Sequence, residues 1–394
     1  MGALDGVRVL DCGLLVQGPQ AALMLAEFGA DVIKVELPNV GDQARWIPVS
    51  FTDPRPPYFH GCNRGKRSFT VDFRTPGGAD VFRKLADTAD VIISNFKPGT
   101  MDAWGLGYDV LTATNPGLVY ATGSAFGPIG PDAEREGADM AGQAAGGLIS
   151  TTGVDGGEPT PVGVTIADHI ASQNMCNGIL AALFARHRTG RGQRVDVSLY
   201  GGQIYAQASE YTAFLMTGEQ RRANRGHPLL PAIYGIFPTA DGYLAMVGVP
   251  PQLRQNFYEA IGHPEFAEDP RFQPLLLTPD ERREVFAVLE TVFPNDTTAN
   301  WVAKLRAAGS RVAPVNGYKD VVADPQVLIN NYIVEVEELG GAMVKVVGNP
   351  IRMSDTPTVV SAVAPELGQD TELIMLELGY NWDDIEALKA VGAI

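Results

Sequence analysis

Asp168, in the stretch Gly163-Val-Thr-Ile-Ala-Asp168-His169, has the clearest chemical potential in this chain, because it stands where a long apolar run begins to repeat at helical spacing. Ile170, Asn174, Asn177, Leu180, Ala181 and Phe184 recur on one side, and Gly178 to Ala185 is mostly strong helix former, so the spacing predicts a helix over 168–187. Thr189-Gly-Arg-Gly192 then supplies the left-handed residue of a C-cap. A carboxylate at the electropositive start of such a helix is favoured as the anion and can attack an acyl carbon. The same helix end can stabilise the oxyanion that results. Aspartate also has a purely structural role at this place, as an N-cap that accepts first-turn amide hydrogens, and the two roles are compatible.

Other candidates are weaker. His169 follows directly, but successive helical side chains diverge by about 100°, which makes it a packing neighbour rather than a partner facing the same group. Asp139 opens a second helical run rich in small residues, and Gln143, one turn on, shares its face. Arg64, Lys66, Arg67 and Arg74 lie close together and could receive phosphates, or form a solvated loop and strand edge.

Around these residues the first 125 positions alternate strand and helix. Val7–Cys12, Asp31–Glu36, Arg67–Phe73, Asp90–Asn95 and Leu118–Thr122 read as strands, with helices over 19–28, 77–87 and 101–114 between them, and Gln193–Leu199 adds a sixth strand. This is an α/β pattern, a doubly wound, mainly parallel, Rossmann-like sheet, whose ligands gather at the carboxyl ends of the strands. The expected organisation is a large domain over 1–200, a linker over 201–225, a smaller α/β domain over 226–325, and a C-terminal return to the large domain over 326–394.

Composition narrows the classes. A net charge of −16 argues against nucleic acid as a partner, since the phosphate backbone needs a basic face. Cys12, Cys62 and Cys176 have neither disulfide nor zinc spacing, and the five histidines are scattered, so no metal site is expected. No apolar stretch reaches the roughly 18 residues of a membrane span, and a cytoplasmic location fits. The loop Gly13-Leu-Leu-Val-Gln-Gly18 lacks the Gly-x-Gly-x-x-Gly of dinucleotide sites, and neither a Gly-x-Ser-x-Gly elbow nor a P-loop occurs.

Several phrases in order resemble the class III CoA-transferases, the family that includes formyl-CoA transferase and the related α-methylacyl-CoA racemases. They are Leu4-Asp-Gly-Val-Arg-Val-Leu-Asp11, Gly29-Ala-Asp-Val-Ile-Lys-Val-Glu36, Asn63-Arg-Gly-Lys-Arg-Ser68, Asn95-Phe-Lys-Pro-Gly99, Thr189-Gly-Arg-Gly-Gln-Arg-Val-Asp-Val-Ser-Leu199 and Ala364-Pro-Glu-Leu-Gly368. The resemblance implies Asp168 as the catalytic nucleophile, with coenzyme A or acyl-CoA bound as substrate and no tightly held cofactor. It places CoA contacts at Val16 and Gln17, at Val71, Asp72, Phe73 and Arg74, and at Asn95, Phe96 and Lys97. Arg45 and Lys97 are phosphate candidates by charge, and Asp139 a further ligand contact. It also implies an interlocked homodimer, with a heteromer of related chains as the alternative.

Two departures from the family pattern bear on the substrate. The racemase branch has a histidine where this chain has Ala138, which cannot exchange protons, so racemisation is disfavoured. Formyl-CoA transferase has a tyrosine there, and the space left by its loss leads to an acyl group larger than formyl or oxalyl. The expected reaction carries CoA from an acyl-CoA to a carboxylic acid through mixed anhydrides and an aspartyl-CoA thioester. An ordinary aspartate, with pKa about 3.9, would be ionised for this without a base. An isomerase moving CoA within one molecule, or a silent acyl-CoA-binding subunit, would use the same residues.

Overall fold

The structure, a computed structural model, describes residues 1–48, 55–337, 341–360 and 363–394. Its sheet is built from β1 (Arg8–Asp11), β2 (Asp31–Glu36), β3 (Arg67–Thr70), β4 (Val91–Ser94), β5 (Val119–Ser124) and β6 (Arg194–Ser198). They lie in the order β3-β2-β1-β4-β5-β6, and every pairing is parallel. Such a sheet needs both faces covered, and the strand sequences show why it is stable. Leu10, Ile33, Phe69, Ile92 and Tyr120 point into one layer against Phe82 and Leu85 of helix Pro76–Ala86. Val9, Val32, Val91, Ile93, Val119 and Ala121 point the other way, against Leu25 of the first helix, Gln17–Glu27, and Met175 and Ile179 of the long helix, Ile166–Thr189.

The chain forms two compact units, one of residues 1–146, 163–206 and 325–394, the other of 147–162 and 207–324. The second holds an antiparallel sheet of β7 (Gly226–His227), β8 (Leu230–Pro238), β9 (Tyr243–Val247) and β10 (Val312–Pro314) over an aromatic core that includes Phe237, Phe257, Tyr258 and Phe293. One expected helix is broken, the run 101–114 splitting into Thr100–Ala103 and Tyr108–Thr114 where Gly105 takes the left-handed conformation, and the stretch expected to open the linker is helical, as Leu199–Ala206 and Ala208–Thr217. Among the described residues no helix is long and apolar enough to cross a membrane.

Beneath the loop from β1 to the first helix lies a buried ionic network. Lys66 Nζ donates to Asp11 at 2.7 Å, Pro19 O at 2.8 Å and Asn63 at 2.8 Å, while Lys34 Nζ donates to Asp42 at 2.8 Å and to the Gly13 carbonyl. Asp42 in turn accepts the Leu15 amide at 3.0 Å. Leu15 holds φ of 61°, a conformation that costs a branched residue about 1–2 kcal/mol, so this anchoring matters. Asn95 clamps the adjacent Leu14 by both its amide, at 2.7 Å, and its carbonyl, at 2.9 Å. Burial alone would lower the Lys34 pKa, but Asp11, Asp42 and Glu36 together hold it above the usual lysine value.

The expected phosphate patch is therefore dismantled. Lys66 is in that network, Arg64 pairs with Glu27 at 3.1 Å, and Arg67 bridges Asp31 at 2.7 Å and Glu377 at 2.8 Å. Replacing Lys34 by methionine leaves Asp42 buried without its cation and is expected to cost about 3–5 kcal/mol. Urea unfolding reads this as a large fall in midpoint, and an unchanged midpoint would remove the network from the account of stability.

Candidate active site

Asp168 does not cap the long helix. That helix begins two residues earlier, with Thr165 at the N-cap position, and Asp168 sits half-buried in its first turn. The cap comes from elsewhere in the chain. Asp139 Oδ1 accepts the Ala167 amide at 2.7 Å and the Asp168 amide at 3.3 Å, while its Oδ2 accepts Gln143 Nε2 at 2.6 Å. Asp139 itself begins a short helix, Asp139–Ala145, so one side chain joins the heads of two helices.

This arrangement corrects two expectations. The amides of the first turn are not available to an oxyanion: Ile166 donates to Val164 O at 2.8 Å, Ala167 and Asp168 to Asp139, and His169 to Thr165 O at 3.1 Å. Nor does the Asp168 carboxyl keep an ordinary pKa. Burial, reinforced by the negative charge of Asp139, pushes it up to about 7, and among the described residues no donor reaches its oxygens. Near neutrality the group is thus divided between acid and carboxylate, the poise expected of a reacting side chain.

His169 is turned away from that carboxyl, as the helical geometry requires. Its Nδ1 lies 2.5 Å from Gln20 Oε1 and its Nε2 lies 3.2 Å from Thr165 Oγ1. Because an amide oxygen can only accept, Nδ1 carries the hydrogen, and Nε2 accepts from threonine. Burial lowers the histidine pKa, which favours this neutral ring. The hydroxyl of Thr165, the usual capping group at that position, is thereby occupied. Gln20 lies one turn beyond Gln17, and only that spacing in the sequence hints at its part.

The other sequence-selected residues gather round the carboxyl ends of the sheet. Val16 and Gln17 start the first helix, both buried, and Gln17 Nε2 donates to Ser124 O, at the end of β5, at 3.3 Å. A side chain at position 123 would meet the Gln17 carboxamide and force it to move, so the glycine leaves room for the Gln17 contact. Ser172 of the long helix links the two sites, donating to Asp168 O at 2.7 Å with Val16 O at 3.5 Å. Val71 is buried beside β2, its amide on Glu36 O at 2.8 Å. Phe73 packs on Phe82 and Trp104 with ring centroids 4.6 and 5.7 Å apart, and Phe96 meets the same Trp104 at 5.5 Å. Trp104 was not anticipated from the sequence.

The selected cations differ sharply in freedom. Arg45 is nearly enclosed, doubly bonded to Glu36 at 2.7 and 2.8 Å, bonded to Pro365 O at 3.0 Å, and stacked 3.7 Å from the Phe59 ring centre. Arg74 is chelated by Asp72 through two 2.8 Å bonds. Lys97 is half-exposed and pairs with Glu136 at 2.7 Å. Phe96, Lys97, Tyr108, Tyr120, Thr122 and Arg194 line a shallow cleft that encloses only ≈ 30 Å³, at the ends of β4 and β5. A larger cavity of ≈ 370 Å³ lies in the second unit, bordered by Ser150, Tyr211 and Phe214, and it includes none of these residues. The perturbed Asp168 carboxyl belongs to the first unit and does not border this cavity. Among the described residues no group of three His, Cys, Asp or Glu is disposed to hold a metal ion.

A six-stranded parallel sheet with a perturbed carboxyl beside the ends of its strands is a doubly wound α/β architecture, and comparison with known proteins specifies the family. The profile of CoA-transferase family III matches residues 4–371. Succinyl-CoA--D-citramalate CoA-transferase of Chloroflexus aurantiacus is 33% identical over 98% of this chain and 97% of its own length, and succinyl-CoA:glutarate CoA-transferase of Mus musculus is 32% identical over 100% and 91%. The crystal structure of a CaiB/BaiF family protein from Brucella suis superposes with a TM-score of 0.85 at 34% identity, covering 96% of this chain and 99% of that one. The chain belongs to CoA-transferase family III and is a CoA-transferase enzyme.

The titration of Asp168 has two physical sources, and a variant separates them. In Asp139→Asn the neighbouring charge is gone while burial remains, so the Asp168 midpoint should fall below 7 without reaching the ordinary carboxylate range. Carbon-13 NMR of aspartate-labelled protein measures both midpoints, and an identical midpoint in the variant would assign the whole shift to burial.

Proposed function

We propose that this enzyme carries coenzyme A from an acyl-CoA to a carboxylic acid acceptor, with Asp168 as the nucleophile. The observation that carries the reading is the half-buried Asp168 carboxyl, pushed up to about 7 by burial and by Asp139, in the first turn of a long helix beside the strand ends. A carboxylate oxygen of Asp168 attacks the thioester carbon, giving a mixed anhydride and free CoA thiolate. The thiolate attacks the aspartyl carbonyl, which forms the enzyme thioester and releases the donor acid. An acceptor carboxylate then attacks that thioester, forming a second anhydride and thiolate. Attack of the thiolate on the acceptor carbonyl yields the new acyl-CoA and restores Asp168. Each step exchanges one acyl bond for another, so no external energy source is consumed.

In this scheme Val16 and Gln17, Val71 to Arg74, and Asn95 to Lys97 border the CoA path. Arg45 and Asn95 act by holding the loops, since their polar groups are already engaged. Lys97 offers the accessible charge for a phosphate, and Phe96 with Trp104 an aromatic edge. Because the long helix's own amides are occupied, oxyanion stabilisation must come from other donors at the strand ends. Binding of the remote nucleotide supplies energy that can be spent at the reacting carbon. Ala138, in place of a ring, favours an acid larger than formate or oxalate, and the succinyl-CoA relatives agree with that size.

A second copy of the chain completes the proposal. Tyr205 is 77% exposed, and Leu215 and Met216 are each 80% exposed, which is more apolar side chain than an isolated surface usually leaves in water. An interlocked homodimer would cover them, and sedimentation equilibrium should return twice the mass of one chain; a monomer at micromolar concentration overturns this part.

The central test combines a variant with a direct view of the intermediate. Asp168→Asn should lose roughly a thousandfold or more in kcat while binding acyl-CoA. Peptide mass spectrometry of the wild-type enzyme after mixing with a panel of acyl-CoA donors should find CoA joined to the peptide containing Asp168. Turnover retained in the variant, or an adduct on another residue, refutes the nucleophile. Preference for formyl-CoA over succinyl-CoA refutes the size assignment alone.

A further inference from the structure

The cations at the carboxyl ends of the sheet can be ranked by what must be given up to release them. Lys34 and Lys66 are fully buried in ion pairs, and Arg45 is held by a bidentate bond to a carboxylate that is itself buried. Removing such a partner leaves a buried charge exposed to no solvent, so these groups are not available to an incoming anion. Arg74 faces solvent but is gripped by both oxygens of Asp72. Lys97 is different. Its side chain is 50% exposed, that of Glu136 is 78% exposed, and the two meet through one 2.7 Å contact. Exposed single-point pairs of this kind contribute little, because water solvates both partners when they separate.

Their places in the chain add a second observation. Lys97 follows β4 and lines the cleft, whereas Glu136 comes from the segment between β5 and helix Asp139–Ala145 and is not part of the cleft wall. The pair therefore joins two loops, one of which lines the cleft. That segment is acidic in itself, with Asp132, Glu134 and Glu136 against Arg135, and Arg135 is turned to Asp132 at 3.5 Å and to the Phe126 ring at 4.8 Å. The charge presented to Lys97 is thus negative.

We propose that Glu136 sets the affinity of this enzyme for acyl-CoA, its carboxylate acting as a built-in competitor that a phosphate of the ligand must displace from Lys97. The inference rests on the reading of Lys97 as a contact for CoA. On ligand binding the lysine exchanges one anion for another, and Glu136 returns to solvent. Phosphate carries more charge than carboxylate and offers more acceptor oxygens, so the exchange is favourable, but its net gain is reduced by the bond that is broken. Glu136 accordingly tunes affinity through Lys97, without touching the reacting atoms.

The test uses the full-length enzyme and two readouts, CoA binding by calorimetry and initial rates with succinyl-CoA. In Glu136→Gln the Kd for CoA and the KM for succinyl-CoA should fall about three- to fivefold, the size expected for loss of a solvent-exposed ion pair, while the KM for the acceptor acid stays put. Lys97→Met should weaken CoA binding, and adding Glu136→Gln to it should produce no further change, because the competitor then has nothing to hold. Glu134→Gln, which removes the same charge outside the pair, should leave both readouts as in wild type. A Kd unmoved by Glu136→Gln, an equal gain in the Lys97→Met background, or an equal gain from Glu134→Gln each overturns the proposal. If wild type fails to bind CoA at all, the reading of the site falls with it; binding with no Glu136 effect sinks only the competitor.

Discussion

The carboxylate of Asp139 at the head of the long helix is the contact on which the site depends. It takes up two first-turn amides that the helix cannot satisfy internally, and Gln143 completes its shell. Those bonds fix the backbone that carries Asp168. They also bring a second negative charge close to a carboxyl already short of water, and the two effects together lift its pKa to about 7. A carboxylate with a higher pKa is a stronger nucleophile once ionised, although a smaller fraction is ionised at a given pH. The same residue thus secures the local fold and makes the side chain more reactive, at the expense of the helix amides that might have served an oxyanion.

The ionic network below the first loop does comparable work for the opposite wall. Lys34, Lys66, Asp11 and Asp42 are buried together, and their hydrogen bonds hold Gly13 and Leu15 in a path that a free loop would not choose. Asn95 fastens the same loop from β4. Val16 and Gln17 are consequently presented from a rigid edge, and Gln17 is set against β5. A basic residue here has one of two functions. Those that are buried support the frame, and Lys97, left in solvent, is paired with an exposed carboxylate.

Much of this was legible in the sequence. Six strands and their intervening helices follow from alternating apolar patterns, because a parallel sheet buried on both faces demands continuous runs of Val, Ile and Leu, and each of the six expected strands is present within a few residues of its expected bounds. Asp168 stood out through its place at the start of a helical repeat. The cluster of arginine and lysine after Asn63 was misleading for a definite reason: proximity along the chain says nothing about partners, and Asp11 lies 55 positions from Lys66. The same limit hid the helix cap, since Asp139 reaches Ala167 across 28 residues while a threonine stood in the local capping position.

Residue order by itself determined the periodicities, and with them the elements, their hydrophobic faces and the aspartate at the head of the long helix, since these depend on interactions between residues a few positions apart. Strand order, the identity of the capping carboxylate, the burial of the lysines and the pKa of Asp168 were decided only by the folded chain. Each of those is set by which distant groups exclude water from one another, and local spacing carries no record of that.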